Sequence, residues 1–328
     1  CLTELRWWID NLRQWNGRAL LSPGPDMIVQ TDASKLGWGA FREGPTNPQR
    51  FNGQWSRTES GLHINLLELR AAEFAVKALT KDRRDLHIHL KMDNVSALTH
   101  INKLGGCRSR QLIHATKTLW EYCLDRGILL SAEFLPGIQN TEADRLSREF
   151  RDESNWKLNP KVFKRLESRW GKMDLDLFAD RLNTQTSRFY SWRPDPLAAG
   201  TDAFLMEWTG KLYAFPPFTL IGKCLARVRK EKLDLILIAP AWKAQPWYPM
   251  LLDLLCEEPV HLPQDDQLLT DPQGQPHPMV LNKSLHLVAW TVSGRLSKRE
   301  AFLRRLRSSS SRNYGNQPVI LTTQRGKP

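Results

Sequence analysis

Cysteine is scarce in this sequence, and the little there is suits neither of its usual structural uses. Five residues (Cys1, Cys107, Cys123, Cys224 and Cys256) are an odd, scattered set without a Cys-x-x-Cys pair, so neither a disulfide framework nor a zinc knuckle is expected. A reducing, intracellular compartment, cytoplasmic or nuclear, fits that usage. Long apolar runs are lacking as well, and nothing approaches the length needed to span a bilayer, so no membrane partner is expected. There is no initiator methionine. The opening Cys1-Leu2-Thr3-Glu4-Leu5-Arg6-Trp7-Trp8 mixes charges with apolar residues and reads as a piece of a longer soluble polypeptide.

Acidic residues almost vanish from the last stretch. Lys and Arg outnumber Asp and Glu by 20 to 17 over residues 1–150, by 18 to 17 over 151–294 and by 9 to 1 over 295–328, so the end holds most of the net charge of +12. Residues 295–328 lack a sustained apolar period and read as a flexible basic tail, either touching a polyanion such as DNA or simply solvated. The 328 residues suit two domains, each able to bury its own core.

What is present starts with Met27-Ile28-Val29-Gln30-Thr31-Asp32, a short β-favouring run ending on a carboxylate. The turn Ser34-Lys35-Leu36-Gly37 and a second apolar run follow, as in a hairpin. No cation lies within the run to neutralise Asp32, which points to a metal ligand, although a turn-starting Asp is the plainer reading of that one residue. A third short strand is expected at Gln54-Trp55-Ser56. Asn65 then reads as the N-cap of a helix from Leu66 to Thr80 carrying Glu68 in its first turn. Leu86-His87-Ile88-His89-Leu90-Lys91-Met92-Asp93 alternates like a strand, with Asp93-Asn94 opening another helix. A helix over 108–126, a strand over 128–134 and a short helix bearing Asp144 complete this part. Each acid alone has an ordinary explanation as a cap or a dipole partner.

The succession of strand Asp, helix Glu, strand-end Asp and helix Asp is harder to dismiss. Thr31-Asp32-Ala33-Ser34 with Gly37-Trp38-Gly39, Asn65-Leu66-Leu67-Glu68-Leu69, Met92-Asp93-Asn94 and Asn140-Thr141-Glu142-Ala143-Asp144-Arg145-Leu146-Ser147 resemble a type 1 ribonuclease H domain over residues 25–150. The resemblance implies an α/β fold, a mixed sheet with flanking helices. It also implies that Asp32, Glu68, Asp93 and Asp144 serve as both catalytic and metal-binding residues, for two Mg²⁺ ions or for Mn²⁺ in their place. Hard oxygen donors suit such ions, and paired ions can direct water at a phosphodiester. The implied activity is endonucleolytic cutting of the RNA strand of an RNA/DNA hybrid. One departure is plain: the loop Phe134-Leu135-Pro136-Gly137-Ile138-Gln139-Asn140 lacks the histidine that many relatives carry before the last aspartate.

After Arg151-Asp152-Glu153-Ser154, a linker helix is expected within 151–169, from Trp156 onward. Strand candidates at 174–180, 212–215 and 233–240, with a helix over 220–230, suggest a second, Rossmann-like α/β domain over 170–294. Asp174-Leu175-Asp176-Leu177-Phe178-Ala179, Asp202-Ala203-Phe204 and Phe215-Pro216-Pro217-Phe218 resemble a phage-type DNA N6-adenine methyltransferase. That resemblance implies S-adenosylmethionine near Asp174 and Asp176, and a target base near Pro216 and Pro217. Phe215 stands where the family has a polar residue, so methyl transfer to adenine is not expected. The plainer reading is that Pro216-Pro217 ends a strand.

The two modules in this order resemble the polyprotein of a DIRS-type retrotransposon. In that arrangement a reverse transcriptase precedes residue 1, residues 1–24 (with Trp7, Trp8, Trp15 and Leu20) connect to it, and a tyrosine recombinase follows residue 328. The alternatives are a non-catalytic nucleic-acid-binding scaffold and an active adenine methyltransferase.

Overall fold

The chain folds into two units, each with buried apolar side chains of its own. The computed structural model describes residues 2–15, 24–44, 48–105, 109–150 and 155–314. In chain order its elements begin with α1 (Leu2–Trp15), β1 (Met27–Ala33), β2 (Gly37–Arg42), β3 (Gln49–Gln54), α2 (Arg57–Ser60), α3 (Ile64–Leu79), β4 (His87–Met92), α4 (Val95–Asn102), α5 (Arg110–Leu124), β5 (Leu129–Phe134) and α6 (Thr141–Arg148). They continue with β6 (Lys157–Leu158), α7 (Pro160–Trp170), β7 (Leu175–Asp176), β8 (Arg188–Ser191), β9 (Gly200–Thr201), β10 (Leu212–Ala214), a 3₁₀ turn (Phe218–Leu220), α8 (Ile221–Glu231) and β11 (Asp234–Pro240). The last are α9 (Tyr248–Asp253), β12 (Val260–His261), β13 (Leu269–Thr270), α10 (Pro278–Leu281), β14 (Leu287–Ser293) and α11 (Leu296–Tyr314). One compact unit comprises residues 1–34, 38–52 and 63–148, and the other 35–37, 53–62 and 149–328.

The first unit is a five-stranded mixed sheet in the order β3-β2-β1-β4-β5. β1 runs antiparallel to β2, with Asp32 opposite Gly39, and parallel to β4, which is parallel to β5. On β4, Ile88, Leu90 and Met92 are fully buried, while His87 and His89 on the other face share the Ser131 hydroxyl of β5 at 2.7 and 2.8 Å. The period of two sorts these side chains to opposite faces. α3 is apolar nearly all round and is buried nearly all round, from Leu66 to Leu79. Expectation and structure differ at its start, because the Nδ1 of His63 accepts the Asn65 amide and caps the helix earlier than expected. The third strand also lies earlier than 54–56: Ser56 and Glu59 form a reciprocal capping box and so begin α2.

The apolar residues of α1 are exposed at Leu2, Leu5, Trp8, Ile9 and Leu12. Leu20 and the side chains of Trp7 and Trp15, expected to connect to a polymerase, lie outside the described residues. Cys1, Cys107 and residues 151–154 also do. Burial pushes the thiols of Cys123 and Cys224 up to about 12 and that of Cys256 up to about 11, so all three stay protonated at neutral pH. No helix among the described residues is long and apolar enough to cross a membrane.

The second unit holds a seven-stranded sheet, β12-β14-β11-β10-β7-β8-β9. Its run from β11 to β9 is parallel, and β14 is antiparallel to both β11 and β12. The expected strand over 174–180 shrinks to Leu175–Asp176, because the following carboxylates turn the chain. Asp176 accepts the amides of Phe178 and Gln185, and Asp180 those of Leu182 and Asn183. The expected linker helix is α7, opened by Asn159 and Pro160. Its Val162, Phe163 and Leu166 join the core around Tyr213, Ile236 and Leu287, so it belongs to this unit and is no linker.

The expectation of a flexible basic tail is corrected over 296–314, which is helical. Phe302 is buried at 6% exposure. Several cations of the helix pair with its own unit: Lys298 lies 3.0 Å from Asp234, Arg299 lies 3.1 Å from Asp253, and Arg305 donates to the Cys256 carbonyl. Residues 315–328 lie outside the described residues. Phe302→Ala should therefore destabilise the second unit by about 3–5 kcal/mol. Hydrogen exchange of the β14 amides under mild denaturant reads this directly; unchanged protection would mean that the helix does not dock.

Candidate metal centre

Three acids of distant sequence meet at the C-terminal ends of the first sheet's two neighbouring inner strands, β1 and β4. Asp32 sits near the end of β1, Glu68 in the second turn of α3, and Asp93 directly after β4. One ligand oxygen from each lies within 4.8 Å of the others. β1 and β4 are parallel neighbours, so their ends carry Asp32 and Asp93 to the same side. α3 lies over β1 and brings Glu68 to them. Asp93 does not cap α4: Asn94 does, accepting the Ala97 amide while its Nδ2 donates to Asn65.

Burial and mutual repulsion govern the charges. Glu68 is 4% exposed. It accepts the Ala33 amide, and desolvation together with the charges of Asp32 and Asp93 pushes its carboxyl up to about 9. Its Oε2 is buried without a partner. Asp32 is likewise raised by burial, against a hydrogen bond from the Ser147 hydroxyl at 2.7 Å, and Asp93 is raised by burial and by the charge of Asp144. A buried orphan carboxylate oxygen facing two further carboxylates is a costly arrangement for a chain alone. It fits a divalent cation with a preference for oxygen.

Asp144 stands apart from this trio. It lies on α6 within electrostatic reach of Asp32, Glu68 and Asp93. Its Oδ1, however, is held by Arg148, through Nε at 2.8 Å and Nη2 at 2.7 Å. α6 can come this close because Gly39 has no side chain, since a Cβ there would collide with the Ala143 carbonyl and the Ser147 amide. Asn140 ties the start of α6 to β1 by donating to the Thr31 carbonyl at 3.0 Å, and Ser34 donates to the Ser147 carbonyl at 2.6 Å. Ser147 and Arg148 were not singled out from sequence. Their signal is the helical spacing of three and four residues from Asp144, which puts all three on one face.

The residues chosen in the second unit do not converge in the same way. Asp174 accepts the Lys211 amide at 2.8 Å, and Asp176 lies opposite Tyr213. Pro216 and Pro217 come after the far end of β10, with Pro217 opening the 3₁₀ turn. Asp174 and the proline pair thus occupy opposite ends of the parallel strands. Asp176 is buried, and desolvation lifts its carboxyl to about 7. The Tyr213 hydroxyl is buried without a partner and is raised by the same cause. Both acids accept backbone amides, Asp174 that of Lys211 and Asp176 those of Phe178 and Gln185.

Compared with protein-family models and with curated proteins, the sequence matches none. Among solved structures, RNase H1 from the archaeon Halobacterium salinarum NRC-1 is similar at 16% identity and a TM-score of 0.30, over 37% of this chain and 92% of that one. The N-terminal RNase H domain of a Mycobacterium tuberculosis protein is similar at 15% identity and a TM-score of 0.30, over 38% of this chain and 98% of that one. The prototype foamy virus protease-reverse transcriptase is similar at 18% identity and a TM-score of 0.25, over 42% of this chain and 19% of that one.

Proposed function

We propose that the first unit hydrolyses the RNA strand of RNA/DNA hybrids, with Asp32, Glu68, Asp93 and Asp144 holding two Mg²⁺ or Mn²⁺ ions. The observation that carries this reading is the close trio of Asp32, Glu68 and Asp93 with an unpartnered buried oxygen on Glu68. Such ions, when bound, polarise the phosphodiester and make a water nucleophilic at neutral pH. The chain's own part is to hold the carboxylates ready. Ser147 orients Asp32 through its hydroxyl, Ala33 orients Glu68 through its amide, and burial keeps bulk water from screening either. Asp144, half exposed on α6, is the ligand with freedom to move. The 2′-hydroxyls and A-like geometry of the hybrid would supply strand selectivity.

A scaffold without catalysis gains nothing from keeping carboxylates that repel one another in a buried site. A labelled RNA/DNA hybrid incubated with and without Mg²⁺ tests the reading. The expected result is metal-dependent cutting confined to the RNA strand; no cutting at any metal concentration would sink it. We further propose that the chain works within a retrotransposon polyprotein, between a reverse transcriptase and a tyrosine recombinase, and that its second unit is methyltransferase-like but does not methylate adenine. Phe215 offers no acceptor for an adenine amino group, and its ring lies instead 6.4 Å from that of Phe218. Labelled-methyl incorporation into DNA should be at background for the parent protein, and robust incorporation would overturn this.

A further inference from the structure

Among the described residues, Arg148 is the cation whose charge reaches the acids of this site. It is the last residue of α6, its side chain is 58% exposed, and both of its contacts fall on Oδ1 of Asp144. Its charge is also felt by Asp32 and Asp93. A pair spaced four residues apart on an exposed helix face is weak and easily exchanged. A guanidinium has five donors in a planar fork, and the contacts with Asp144 engage only part of it.

We propose that Arg148 is a displaceable counter-ion of the carboxylate site: it pairs with Asp144 while the site is without metal, gives Asp144 up when a metal ion binds, and then holds a backbone phosphate of the nucleic acid. This rests on the reading of the four acids as metal ligands. In this scheme Arg148 is a positioning residue with two opposed effects. Against metal it is a competitor, because it must release Asp144 and because its charge repels the incoming cation. Toward nucleic acid it is an attractor, since arginine matches phosphate in both charge and fork geometry. Its place at the end of the helix, on a long side chain more than half in solvent, allows both positions.

Two binding measurements, neither of which requires turnover, separate this from a merely structural arginine. Mn²⁺ binding to the full chain, followed by the loss of the free-ion electron paramagnetic resonance signal, should tighten about two- to five-fold in Arg148→Ala. Arg148→Lys should lie between the two. Hybrid binding in Ca²⁺, followed by fluorescence anisotropy, should weaken in Arg148→Ala, with the slope of log affinity against log salt shallower by about one phosphate contact. Arg145→Ala, on the same helix but paired with Glu142, serves as the control and should leave Mn²⁺ affinity unchanged. Equal or weaker Mn²⁺ binding by Arg148→Ala, or unchanged hybrid binding and salt slope, overturns the proposal. If the parent chain cut no hybrid, the nuclease reading would fall, while the Mn²⁺ titration would still judge the counter-ion.

Discussion

Asp32→Asn should abolish cutting of the hybrid while leaving the first unit folded. The substitution keeps the shape of the side chain and an oxygen that can accept the Ser147 hydroxyl, which now lies 2.7 Å from Oδ2. It removes one ligand charge from the site, and metal-borne charge stabilisation is worth several kcal/mol in the transition state. At 1.36 kcal/mol per factor of ten, a loss of about a thousand-fold or more is expected. Stability should move the other way. Asp32 is 4% exposed, and burial and neighbouring acids oppose its charge, so a neutral amide in metal-free protein should be neutral to stabilising. Asp93→Asn should behave alike. Glu142→Gln removes an acid of α6, the helix of Asp144, that pairs with Arg50 and Arg145, and it should retain activity. Substantial cutting by both aspartate variants at saturating Mg²⁺ would refute the ligand assignment.

Much of this site was legible in the sequence because each acid sits in a pattern set by short-range physics. Asp32 closes an apolar run, and Asp93 follows a strand whose alternation is unmistakable. What remained illegible depended on exact ends and on long-range contacts. Asn65 looked like a cap, but His63 accepts the Asn65 amide and leaves the asparagine side chain to Asn94. The i,i+4 spacing makes a pairing of Asp144 with Arg148 readable in the sequence, but nothing local could show that the other three acids crowd together without Asp144. In the second unit, the run from Asp174 to Asp180 has the composition of a buried strand, and only the hydrogen bonds of Asp176 and Asp180 to later amides explain why pairing stops at Asp176. The tail misled in the opposite direction. Its charge excess reads as a flexible segment, solvated or touching a polyanion, whereas over 296–314 Asp234 and Asp253 supply countercharges to Lys298 and Arg299, and Phe302 is the anchor.

The charge state of Glu68 should make the metal-free first unit less stable as pH rises. Its carboxyl has an ordinary value of 4.5 and is pushed up to about 9 in the folded chain, by burial first and then by Asp32 and Asp93. Between those values the folded state holds a proton that the unfolded chain has released. Stability from this group is therefore complete below about pH 4.5 and is lost as pH rises toward 9, by at most about 1.4 kcal/mol per pH unit. Asp32 and Asp93 are raised too and act with the same sign. In Glu68→Gln no proton is exchanged at this position, so the pH dependence should flatten and the variant should exceed the parent at pH 8 in chelator. Mg²⁺ should restore the parent at pH 8, because a ligand bound only by the folded state stabilises it by mass action, and should do little for Glu68→Gln. Asp176, lifted to about 7 in the second unit, adds a dependence of the same sign there, so the readout must be local. Hydrogen exchange of β1 and α3 amides at pH 5 and pH 8, corrected for intrinsic exchange, provides it. If protection in the parent is equal at the two pH values in chelator, or if Glu68→Gln loses protection as the parent does, Glu68 is not the buried proton-holding acid of this site.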